Sequence, residues 1–65
     1  MMNKFELIKC SVEPEDSLEI EVAEKGKLNI WLTVDGDSCH VVLTKDSVNK
    51  LKKQLDEAVG LSEQL

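Results

Sequence analysis

Two stretches in the middle of the chain alternate apolar and polar residues with the period of a β-strand. From 18 to 23 the sequence runs Leu-Glu-Ile-Glu-Val-Ala, which sets Leu18, Ile20 and Val22 on one side and Glu19 and Glu21 on the other. From 28 to 34, Leu28, Ile30, Leu32 and Val34 alternate with Asn29, Trp31 and Thr33. Alternation of this kind marks a strand that buries one face. Between the two, Glu24-Lys25-Gly26 has the composition of a three-residue hairpin loop closed by a left-handed glycine. That loop length sets Val22 opposite Leu28, Ile20 opposite Ile30 and Leu18 opposite Leu32, so the apolar sides of both strands coincide.

A second turn follows at Asp35-Gly36, because a type I′ hairpin needs positive φ at both central positions. Val34 then pairs with Asp37, Cys39 with Leu32, Val41 with Ile30 and Leu43 with Leu28, across a strand at about 38–43. Two independent turns thus yield one consistent inner face. Ahead of them, Phe5, Leu7, Ile8, Cys10 and Val12 share no single parity, which predicts an edge strand at about 4–12. Glu13-Pro14-Glu15-Asp16-Ser17 forms its turn, with proline suited to the second position. Pairing Val12 with Leu18 would set Cys10 opposite Ile20, Ile8 opposite Val22 and Lys9 opposite Glu21.

After Leu43 the period lengthens. Thr44 suits a helix cap, Asp46 lies in the first turn, and Val48, Leu51, Leu55, Ala58 and Val59 recur at helical spacing, predicting a helix at about 45–59. Gly60 is positioned to end it in a left-handed conformation, folding Leu61 back on Leu55 and leaving residues 61–65 as a frayed tail. The predicted architecture is a single α+β domain spanning residues 1–65: a four-stranded antiparallel meander with one C-terminal helix packed on one face. The other face is left open.

Composition narrows the function. A chain of 65 residues buries only about 60% of its unfolded surface, so its core is marginal and self-association would relieve it. Thirteen acidic residues against eight basic ones give a formal charge of −5, which leaves no positive field for phosphate backbones; direct nucleic-acid binding is not expected. Apolar runs all fall short of the roughly 20 residues of a spanning helix, and no charged, apolar, small-residue leader opens the chain. The expectation is a cytoplasmic protein without membrane association. Every basic residue is a lysine, and the aromatic residues are Phe5 and Trp31, so any recognition surface rests on few anchors.

Candidate chemistry is sparse. Cys10 and Cys39 fall on the first and fourth strands, about three strand spacings of 4.8 Å apart, beyond disulfide reach; buried free thiols are expected. Adjacent Cys39 and His40 point to opposite faces of a strand and cannot readily share a metal, and the cysteines and histidine are too few and wrongly spaced for zinc. Asp35, Asp37 and Ser38 lack the remaining oxygens of a calcium loop. His40 has Trp31 as its cross-strand neighbour rather than a nucleophile. No catalytic residue, cofactor or metal is therefore assigned, and an enzyme is not expected.

Two surfaces remain. On the open face Trp31, His40 and Val42 cluster with Leu7, Glu19 and Glu21, an apolar patch of the kind that marks contact with a protein, here expected to be a second copy of the chain in a homodimer. The alternative is an acidic run, Glu13, Glu15, Asp16, Glu19, Glu21 and Glu24, with no base among them. Such a run would suit an inhibitor that occupies the basic, nucleic-acid-binding site of a target protein. In size and acidity the chain resembles the small accessory and inhibitor proteins of phages and mobile elements.

Overall fold

The computed structural model describes residues 5–65. Four strands, β1 (Ile8–Lys9), β2 (Ser17–Glu24), β3 (Lys27–Val34) and β4 (Asp37–Thr44), precede one helix, α1 (Lys45–Ser62). The strands form one antiparallel sheet in the order β1-β2-β3-β4, a meander. The α+β architecture read from the hydrophobic pattern is therefore present.

The predicted inner-face pairings hold in both hairpins, although Glu24, expected in the first loop, instead pairs with Lys27 and leaves Lys25-Gly26 as the connection. Leu18 faces Leu32, Ile20 faces Ile30 and Val22 faces Leu28, with a bulge between Val22 and Glu24 that lets Gly26 adopt φ +77°. In the next hairpin Leu32 faces Cys39, Ile30 faces Val41 and Leu28 faces Leu43. Its turn has Asp35 at φ 53° and Gly36 at φ 84°, the two left-handed residues of a type I′ turn. These turns fix which residues share a face, because slipping either strand by one position would invert every side chain.

β1 departs from expectation. Its paired segment is Ile8–Lys9 instead of about 4–12, and residue 4 lies outside the described residues. Ile8 pairs with Leu18, not Val22, and Lys9 with Ser17, not Glu21. The connection is wider than the pentapeptide turn predicted: Asp16 N donates to Glu13 O at 2.9 Å and Cys10 N to Asp16 O at 2.9 Å, so the chain reverses inside residues 10–16. With no consistent apolar parity to hold it, the strand takes the register that this loop dictates. The displacement is an even number of residues, so Ile8 still falls on the inner side with Leu18.

The helix end also differs. α1 runs through Gly60 to Ser62, and its C-cap Glu63 is right-handed at φ −72°. Leu61 therefore continues the helix instead of folding back on Leu55. Glu63 N donates to Val59 O at 3.1 Å and the Ser62 hydroxyl donates to the same carbonyl oxygen at 2.8 Å, which satisfies the final turn without a left-handed residue. An interior glycine costs a helix about 1 kcal/mol, less than is needed to stop it.

Packing is the main surprise. α1 contacts β4, and its apolar side is half-buried at Val48 and Leu51 but 55% exposed at Leu55 and 56% at Val59. The cover predicted for a whole face thus reaches only the helix's first turns. No side chain among the described residues is buried. The Cα radius of gyration is 13.4 Å, against about 11 Å for a compact domain of this length. Thr44, still paired with Lys27 in the sheet, is also the helix N-cap, so no loop residue separates strand from helix. Common strand-to-helix loops have about 2–6 residues; with none here, α1 meets β4 only over its first turns.

Candidate protein interface

The alternation of β3 sends Trp31 to the outer face, and the Asp35-Gly36 turn brings His40 opposite it. The rings stack with centroids 4.3 Å apart and planes inclined by 27°, slightly closer than the roughly 4.5–7 Å usual for aromatic pairs. Trp31 Nε1 donates to Glu21 Oε1 at 3.0 Å, and Asn29 Nδ2 donates to the same oxygen at 3.0 Å. Glu21 thereby ties the central strand to β2 and fixes the indole edge. The hydroxyls of Thr33 and Ser38 are hydrogen-bonded at 2.9 Å beyond the stack. Glu19 is paired with Trp31, while Leu7 joins Glu21 and Trp31 around a shallow depression of about 230 Å³. Val42 lies opposite Asn29 and is exposed. All six residues expected in the open-face patch are on or beside this surface. Glu21, Asn29, the indole N–H, Thr33 and Ser38 find hydrogen-bond partners within the chain, and Trp31 is half-buried.

The acidic run is not one continuous patch. Glu19 and Glu21 lie on the outer face, whereas Asp16 Oδ1 accepts a hydrogen bond from Asp35 N at 3.1 Å and links the two turns at one end of the sheet. Glu24 at the opposite end forms an ion pair with Lys27 at 3.0 Å, both side chains largely exposed, a contact worth little in water. Glu13 and Glu15 are exposed in the loop. Asp16, Glu21 and Glu24 thus do structural work in turns and cross-strand bonds.

The inner row, expected to lie beneath the helix, is a second exposed surface. Val34 is 51% exposed and Val41 57%, and Leu32 and Ile8 are similarly open. At the end where Ile8, Leu18, Leu32 and Val34 meet, they line an apolar depression of about 350 Å³. The signal in the sequence was the direct passage from Thr44 to Lys45, with neither glycine nor proline to turn the chain. Periodicity alone marks an apolar face and does not say which chain covers it.

Cys10 and Cys39 are free thiols and, contrary to expectation, exposed; Cys10 Sγ accepts from Glu13 N at 3.3 Å. Among the described residues, no group of three or more His, Cys, Asp or Glu side chains could hold a metal ion, and no helix is long and apolar enough to cross a membrane. Comparison with protein-family models, with curated proteins and with solved structures finds no match. The surface chemistry is left to define the class: apolar faces on a small α+β scaffold.

Proposed function

We propose that this chain is a non-enzymatic protein–protein interaction module whose working unit is a homodimer. The observation that carries this reading is its surface. One chain exposes 5814 Å², whereas a compact monomer of 7.3 kDa exposes about 4,200 Å². The excess, about 1,600 Å² per chain, reflects an open shape whose exposed apolar rows a second copy would cover. Solvent-exposed apolar rows of this extent are rare in stable monomers. The inner row carries the larger unmet apolar surface. The Trp31–His40 face, where the indole N–H is already bonded to Glu21, stays available to a different protein in such a dimer.

Sedimentation equilibrium over a wide concentration range tests the reading. The expected mass is twice 7.3 kDa at micromolar concentration. A cooperatively folded monomer persisting at tens of micromolar sinks it.

A further inference from the structure

We infer that the two copies exchange their helices, the apolar side of α1 from one chain lying on the inner sheet row of the other. This rests on the homodimer reading above and specifies its geometry. Two apolar surfaces of the same chain stand unmet: the inner row at Ile8, Leu32, Val34 and Val41, and the helix beyond its second turn at Leu55 and Val59. Each is the natural cover for the other, since an amphipathic helix buries its stripe against a sheet face. Within one chain they do not meet along their length: Thr44 is at once the last paired residue of β4 and the cap of α1, and a junction without a loop disfavours the return. A short connection that prevents intramolecular return is the usual origin of exchanged elements.

The helix has the right size. Its 18 residues span about 27 Å at 1.5 Å per residue, and each eight-residue strand spans about 27 Å at 3.3–3.4 Å per residue. Charge favours an antiparallel arrangement of the two sheets. Glu13, Glu15, Asp16, Asp35 and Asp37 gather at the turn end, with Lys9 beside them, whereas Lys25, Lys27 and Lys45 lie at the end from which the helix departs, partly offset there by Glu24, which pairs with Lys27, and Asp46. Antiparallel copies bring the acidic end of one to the lysine end of the other. A two-fold axis then makes both exchanged contacts identical, which closes the assembly at two chains.

Charge-swap mixing tests this. Val41→Glu burdens the inner row and leaves the helix intact, while Leu55→Lys does the reverse. Both positions are more than half exposed in one chain, so neither substitution removes a contact that a lone chain depends on. Each variant alone is expected to lose dimer affinity by at least about 100-fold, because the introduced charge is buried without a partner. An equimolar mixture is expected to recover a dimer containing one chain of each kind, read by native mass spectrometry. In that dimer one exchanged contact is wild type, and the other opposes the introduced lysine to the introduced glutamate. A variant that cannot fold alone still scores in the mixture. If either variant alone keeps wild-type dimer affinity, or if the mixture forms no mixed dimer, helix exchange is overturned while the homodimer reading stands. A monomeric wild type overturns both.

Discussion

The three glycines show how one substitution can have opposite effects at different positions. Gly36 sits at φ 84° in the β3–β4 turn, where an L-residue is strained, and Gly60 lies inside α1 with open space where a Cβ would be. Gly36→Ala is expected to destabilise the fold by about 1–2 kcal/mol. Gly60→Ala should stabilise it by about 0.5–1 kcal/mol, both read from denaturant midpoints followed by far-UV circular dichroism. Glu21 is the other residue on which local order depends, since one of its oxygens accepts from both Trp31 and Asn29. Glu21→Ala is expected to red-shift Trp31 emission and lower stability by about 1–2 kcal/mol. Glu21→Gln, which retains an acceptor oxygen, should keep most of both. The Trp31–His40 pair was legible in advance because the Asp35-Gly36 turn dictates it. The bond from Trp31 to Glu21 was not, since it runs diagonally between strands and depends on side-chain rotamers that alternation does not encode.

At the level of elements, legibility followed the turns. Gly26 and Asp35-Gly36 each demand a particular backbone, and the two hairpins they govern matched the expected registers residue for residue along Leu18, Ile30 and Val41. β1 has no such turn: Glu13 to Ser17 carries a proline and three acids but no obligatory left-handed residue, and the strand shifted from Val22 to Leu18 as Ile8's partner. Gly60 leaves the helix unbroken for a related reason, because glycine permits a helix stop without imposing one. The junction between β4 and α1 is where an element-level change should be most informative. Inserting about four Gly and Ser residues after Thr44 supplies a connection of ordinary length, so α1 can return onto its own sheet. Sedimentation of that variant is expected to show a raised monomer fraction at equal concentration. Unchanged dimer affinity would mean that the short junction does not control association.

For the whole molecule, shape and stability are one question. The radius of gyration is 13.4 Å and no side chain among the described residues is buried; on the proposed homodimer, the partner would complete the core. Its unfolding midpoint should therefore rise with protein concentration, as it does when folding and association are coupled. Melts recorded over a hundredfold dilution check this, and a concentration-independent midpoint would argue for a self-sufficient monomer. Added salt should weaken association only modestly, because the separated acidic and lysine ends are exposed and screened while apolar burial persists. β4 carries one more consequence. It forms the sheet edge, and Cys39-His40-Val41-Val42-Leu43-Thr44 contains neither proline nor a carboxylate or lysine to discourage another strand from joining. α1 begins directly at the end of that edge strand and contacts it, and we expect it to hinder the approach of a second sheet. A chain cut after Thr44 should lose this guard and grow into thioflavin-positive fibrils, whereas the intact protein stays clear; on this view the helix also acts as a gatekeeper against amyloid.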